Sequence, residues 1–231
     1  PVRFATVFHD TYENSSCKEE VHSMSKIRIG IVGAGRIGNV HAQSITYHIP
    51  EAEVVCVTDV YEPAAKKLAE TYGIPKYGAD YKMIVEDPDI DAVLVMVPHV
   101  YHDNIVVQCA EKGKHVLCEK PAARTYEEAL EMQRVQHETG KVLNIGVVNR
   151  FNDSVNRIKE YIEAGKLGEV FHVYVSFRSY RSIPGLGGAF TTKAISGGGV
   201  LIDWGVLFLD LIMYCCGDPL PKTVSTKAFC K

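Results

Sequence analysis

The sequence predicts an α/β fold: a doubly wound parallel sheet followed by part of a second α/β domain with an open sheet. Three observations predict it. Short β-branched runs alternate with helical segments from residue 27 to residue 145. A glycine-rich turn, Gly33-Ala34-Gly35-Arg36-Ile37-Gly38, joins the first run to the first helix. After Gly146 the alternation gives way to a helix, a long alternating run and one strongly apolar helix.

The elements follow in order. Ile27-Arg28-Ile29-Gly30-Ile31-Val32 reads as a buried parallel strand, and the turn after it opens a helix over 36–48. A second strand over 53–59 ends in an acid. A helix over 62–72 is closed by Gly73 and Pro75. The run 92–97 is another buried strand, cut by Pro98. A helix over 104–111, a strand over 114–118, a helix over 126–139 and a strand over 141–145 complete the series. Beyond it, 154–164 reads as a helix stopped by Gly165. Residues 169–180 alternate like a strand of a second sheet, 181–199 read as a flexible glycine-rich stretch, and 200–216 as a buried helix. Residues 223–229 form a last predicted strand. Domain boundaries are therefore expected near 26–147 and 148–231, the second domain being incomplete or completed by another chain. Residues 1–25 are polar and aperiodic and read as a tail foreign to the fold, with Met24-Ser25-Lys26 resembling a natural start.

Composition narrows the function. The net charge of −3 and the lack of a basic block argue against a nucleic-acid surface. The apolar fraction of 46% supports a real core, and no segment reads as the ~20 continuous apolar residues that cross a bilayer. Seven cysteines without CxxC spacing point to reduced thiols and a cytoplasmic setting. Cys215-Cys216 could hold a metal, but no further ligands cluster with it, so no metal site is expected.

The glycine turn carries the first chemistry. It follows a strand, opens a helix, and has Asp59 at the end of the next strand, 21 residues past Gly38. This is the context of a Rossmann-type dinucleotide site. Gly33 permits the tight turn, Gly35 lets the backbone approach a pyrophosphate, and Gly38 lets helix and strand pack. The helix N-terminus faces negative phosphates. Asp59 can accept from ribose hydroxyls and would repel a 2′-phosphate, so NAD is preferred over NADP. A second signal is Glu119-Lys120-Pro121, directly after a strand, where the carboxyl ends of the sheet meet the ligand crevice. A third is Gly197-Gly198-Gly199-Val200-Leu201-Ile202-Asp203-Trp204-Gly205, which supplies an acid from the second region. Asp203 and Asp210 are the two charges between 200 and 216 and share one helix face. By itself Asp203 could equally be a first-turn acid on the helix dipole, and Lys120 a surface lysine paired with Glu119.

Together with Arg150-Phe151 and Glu163-Ala164-Gly165-Lys166-Leu167-Gly168, these motifs, in this order over residues 26–231, resemble the Gfo/Idh/MocA oxidoreductases. The resemblance implies a dinucleotide-binding domain followed by a substrate and oligomerisation domain with a large open sheet, and a homo-oligomer formed through that sheet. It implies an NAD-dependent dehydrogenase acting on a sugar, polyol or cyclitol hydroxyl. NAD would contact Gly33, Gly35, Arg36, Ile37, Gly38, Asp59, Pro98, His99, His102, Glu119 and Lys120. Lys120 and Asp203 would carry the chemistry, and Lys120, Arg150, Asp203 and Leu207 would meet the substrate. Family members commonly read Asp-x-Gly-x-His, the histidine acting as acid/base. Here the segment reads Asp203-Trp204-Gly205-Val206-Leu207. Leucine carries no proton, so transfer would fall to Lys120, His99 or water, and turnover would be weakened. General acid–base catalysis contributes about 10²–10⁴-fold. The alternative is a non-catalytic NAD-binding sensor or inactive paralogue. Trp204, Tyr180 and Arg181 are further candidates for substrate contact.

Overall fold

Ile27–Val32 is the hub of the structure because its side chains alternate between two apolar faces. The computed structural model describes residues 25–178 and 188–227. Residues 1–24, expected to be a foreign tail, and Tyr180 and Arg181, expected to contact substrate, lie outside the described residues. Six parallel strands form one sheet: β1 (Ile27–Val32), β2 (Ala52–Thr58), β3 (Lys76–Gly78), β4 (Ala92–Val95), β5 (His115–Cys118) and β6 (Leu143–Ile145). Their order is β3-β2-β1-β4-β5-β6. The chain reverses direction across the sheet between β1 and β4, which opens a crevice at the carboxyl ends of those strands. At that seam Ile31 stands beside Val57 on β2 and Leu94 on β4.

Helices cover both faces. On one side α1 (Arg36–His48) and α2 (Glu62–Tyr72) set Ala42, Ile45, Ala65 and Leu68 against Ile29, Ile31, Val54 and Val57. On the other, α3 (Lys82–Val85), α4 (His102–Glu111) and α5 (Tyr126–Thr139) set Ile84, Ile105, Val106, Cys109 and Met132 against Val55, Val93 and Val95. Each of the Ile, Leu, Val and Met side chains among them contributes about 1.5–3 kcal/mol on burial. Helix ends follow the sequence. Gly73 and Gly140 end α2 and α5 with φ of 69° and 63°. Thr125 caps α5, its side-chain oxygen accepting from the Glu128 N–H.

After β6 a 3-10 turn (Val148–Phe151) leads into α6 (Asp153–Glu163), capped by Asn152. Residues 170–178 form no regular element, join no ladder and lie exposed. The strand predicted over 169–180 is thus absent from its described part. Residues 221–227 likewise form no strand, so among the described residues there is no second sheet. Alternation alone cannot make a strand, because a ladder needs a partner. Where a flexible stretch was predicted, a 3-10 turn (Ala189–Thr191) and α7 (Lys193–Ser196) form. The predicted apolar helix opens with one π-helical turn (Leu201–Gly205) and continues as α8 (Val206–Cys215). It packs on α6, where the Tyr214 hydroxyl donates to Asn156 Oδ1 at 2.8 Å.

One expectation about hydropathy is corrected. The 23 residues Lys193–Cys215 are long and apolar enough to cross a membrane by length and composition, an 18-residue window in them having mean hydropathy 1.6, and most of them are half-buried. The two acids inside the run both pair with basic side chains of the β5 and β6 ends. Those pairs hold the run against the sheet-bearing half.

Candidate active site

Three of the turn glycines have distinct surroundings. Gly33 has φ of 105°, and a Cβ there would lie 2.3 Å from the Met96 carbonyl oxygen. A Cβ at Gly38 would lie 2.0 Å from the Gly33 carbonyl oxygen. A Cβ at Gly35 would meet nothing within 4 Å. The first two therefore serve the packing of strand, turn and helix, whereas Gly35 faces open space. The N-terminus of α1 has no side-chain cap and no acid in its first turn, Arg36 and Ile37 being its first residues. Its N–H groups remain for an anion. Asp59 braces this turn: one carboxylate oxygen accepts from the Ala34 N–H at 2.8 Å, the other from the Tyr61 N–H at 2.9 Å. The carboxylate keeps further acceptor capacity for hydroxyl donors. An open approach at Gly35, an uncapped helix start and an adjacent carboxylate fit the diphosphate and ribose of a dinucleotide.

Lys120 lies two residues beyond the end of β5 at Cys118, and its peptide to Pro121 is cis. Its ammonium donates to Asp203 twice, to the carboxylate Oδ1 and to the backbone oxygen, both at 2.7 Å. It also lies 5.9 Å from the centroid of the Trp204 ring, which stacks on Phe177 at 4.7 Å. An ammonium has three N–H groups, so one donor remains beyond the two spent on Asp203. The π-helical turn carries both Asp203 and Trp204; such turns recur at functional sites. Glu119 points the other way. It accepts from the Lys120 N–H at 3.1 Å and lies 3.4 Å from His41 Nε2 on α1.

The remaining predicted residues are placed differently from expectation. The His102 ring is fully buried, with Nδ1 2.9 Å from the Pro121 oxygen and Nε2 2.8 Å from the Val97 oxygen. Each ring nitrogen faces a carbonyl oxygen, and the single N–H of the neutral ring donates to one of them, so His102 packs between the loops after β4 and β5 and presents no surface to a ligand. Burial pushes its pKa down, against those two carbonyls. His99, next to Pro98, is 7% exposed, its Nδ1 is 3.0 Å from the Ser196 oxygen, and Phe190 packs edge-on against it. The sequence predicted crevice contact for His99; α7 covers it instead. Arg150 gives Nε and Nη2 to the two oxygens of Asp210 at 2.8 and 2.5 Å, and that carboxylate holds the guanidinium above its ordinary pKa. Leu207 is buried at 9% exposure, one turn beyond Asp203.

Sequence reasoning missed Arg124. It donates to Ala194 O on α7 at 2.7 Å and to Glu128 at 2.6 Å, clamping α7 over the site. No motif marks it, because its partner stands 70 residues away. Among the described residues no cluster of three or more His, Cys, Asp or Glu is placed to hold a metal. Burial raises the thiols of Cys56, Cys109 and Cys118, those of Cys56 and Cys109 to about 11 and about 12, which leaves them inert.

The fold and site together define a dinucleotide-binding α/β protein with a lysine–carboxylate pair beside the crevice. Residues 27–147 match the family model described as an oxidoreductase family with an NAD-binding Rossmann fold, and residues 155–229 match that of the family's C-terminal domain. The chain belongs to the Gfo/Idh/MocA oxidoreductase family, and its first domain is of the NAD-binding Rossmann type. It is 31% identical to scyllo-inositol 2-dehydrogenase (NAD(+)) of Bacillus subtilis, over 83% of this chain and 54% of that protein. It is 35% identical to D-glucoside 3-dehydrogenase of Escherichia coli, over 90% of this chain and 59% of that protein. The crystal structure of a putative myo-inositol dehydrogenase from Sinorhizobium meliloti superposes with a TM-score of 0.73 at 29% identity, over 83% of this chain and 56% of that one. The chain thus spans little more than half the length of the relatives it matches.

Proposed function

We propose that this chain carries the cofactor-binding domain and one wall of the reaction site of an NAD-dependent dehydrogenase acting on a cyclitol, polyol or sugar hydroxyl. The observation that carries the reading is the Lys120–Asp203 pair, 2.7 Å apart, at the end of the strand two places from the glycine turn. The named activities of the relatives, on inositols and a glucoside, support the substrate class. Gly33, Gly35, Arg36, Ile37, Gly38 and Asp59 would hold the cofactor, and the Asp59 carboxylate favours NAD over NADP. When bound, NAD supplies the acceptor for the hydrogen that leaves the carbinol carbon with its electron pair. The third Lys120 N–H would then hydrogen-bond the substrate oxygen and favour charge developing there. Asp203 orients the ammonium and balances its charge. The hydroxyl proton would pass to water, because the Lys120 ammonium already holds its three protons, Leu207 offers no acceptor and His99 is covered by α7. We place the domain boundary near residue 147, and the protein in the cytoplasm as a homo-oligomer; its reduced buried thiols support the compartment.

The buried Leu207 favours one second reading, an NAD-binding protein without turnover. NADH formation from a panel of inositols and sugars separates the two, comparing the intact protein with Leu207→His. The dehydrogenase reading expects activity in both, faster with histidine. NAD binding without turnover in either would establish the second reading.

A further inference from the structure

Two ion pairs tie one helix to two neighbouring strands. Lys120, after β5, reaches Asp203, and Arg150, in the turn after β6, reaches Asp210 through two bonds. β5 and β6 are hydrogen-bonded neighbours, so their ends stand about 4.8 Å apart. The aspartates lie seven residues apart on one helical run, about 10 Å along its axis. One bridge leaves a helix free to roll about its attachment. Two bridges at different heights fix both its rotation and its position along the axis.

We infer that the Arg150–Asp210 pair is a positioning bridge that sets this helix so that Asp203 meets Lys120. This differs from the substrate contact that the family resemblance implies for Arg150. The guanidinium is committed along its fork, and its Cζ lies 5.1 Å from the Tyr214 ring. Tyr214 is itself bound to Asn156 on α6 and carries Lys159 Nζ 5.0 Å from its centroid. Arg150 is thereby locked between α6 and α8 and directed at Asp210. A lysine could keep the charge but lacks the planar fork that meets both carboxylate oxygens.

The functional consequence rests on reading Lys120 and Asp203 as the reacting pair, so the test has one readout that needs no turnover. In the intact protein, Arg150→Lys, Asp210→Asn and the double variant Arg150→Met/Asp210→Leu are compared with the parent. The first readout is kcat and KM for inositol oxidation. The second is the rate at which acetic anhydride acylates Lys120, read by peptide mass spectrometry. A displacement of about 1 Å at a reacting group costs up to about a hundredfold, so each single change should lower kcat about ten- to a hundredfold while KM moves less than about twofold. Lys120 should acylate faster once Asp203 no longer holds it. The double variant should lose no more than the worse single change, because the pair acts as one unit. Raised KM at unchanged kcat, with unchanged Lys120 acylation, would overturn the inference and return Arg150 to the substrate. If the parent oxidises nothing, the dehydrogenase reading fails and the acylation comparison alone decides the bridge. Arg150→Lys keeps the charge, so it reports even if the double variant does not fold.

Discussion

Gly35 and Gly38 differ in what a side chain would meet at each. A methyl group at Gly38 would press on a backbone carbonyl that cannot yield without moving the turn. At Gly35 it would enter open space, on a backbone with φ of −71° that alanine adopts freely. Gly38→Ala is therefore expected to lose both stability, by about 1–3 kcal/mol, and NAD affinity. Gly35→Ala should keep its Tm and still lose at least about tenfold in NAD affinity, about 1.4 kcal/mol. Thermal unfolding and NAD titration of both variants check this; equal Tm losses would mean that Gly35 serves packing and not the cofactor. These residues were legible in the sequence because strand, turn, helix and acid fall at fixed offsets. Lys120 and Asp203 were legible as candidates by motif. Their direct contact was not, since it joins positions 83 residues apart. The bond of Arg150 to Asp210 spans 60 residues and was equally invisible.

Elements with local punctuation emerged from the sequence almost as the structure has them. α1, α2 and α5 match to the residue, because a glycine turn, Gly73 and Gly140 mark their ends. β3 escaped because three residues, Lys76-Tyr77-Gly78, carry no readable period. The π-helical turn escaped because its widening leaves the apolar pattern intact. The strand over 169–180 was predicted from alternation and lacks the partner that would make it one. Punctuation also carries energy at this scale. The Thr125 cap satisfies one of the first N–H groups of α5. Thr125→Ala should therefore cost about 1 kcal/mol, whereas Thr125→Ser should cost little. Denaturant unfolding of the two variants measures the difference; equal losses would assign the effect to the threonine methyl group.

At the scale of the whole molecule, His102 joins the ends of β4 and β5 to the start of α4 with no solvent contact. The His99 ring, 5.6 Å away, is the neighbouring titratable group. The folded pKa of His102 lies below the ordinary imidazole value, burial being the main cause. Above about pH 6.5 both folded and unfolded chains carry it neutral, so stability there is unaffected by it. As pH falls below that value the unfolded chain takes up a proton that the fold refuses, and stability declines until the folded pKa is reached. Comparing Tm at neutral and mildly acidic pH should show a smaller acid loss in His102→Gln than in the parent, though the variant is less stable at neutrality. Parallel losses would show that other groups set the acid limb. The stacking of Trp204 on Phe177, under the Lys120 ammonium, has an optical consequence. The chain contains one tryptophan, so all of its indole fluorescence originates beside the Lys120–Asp203 pair. Reduced nicotinamide absorbs where indole emits. Quenching of that emission would therefore follow cofactor reduction from within the site, with no label added.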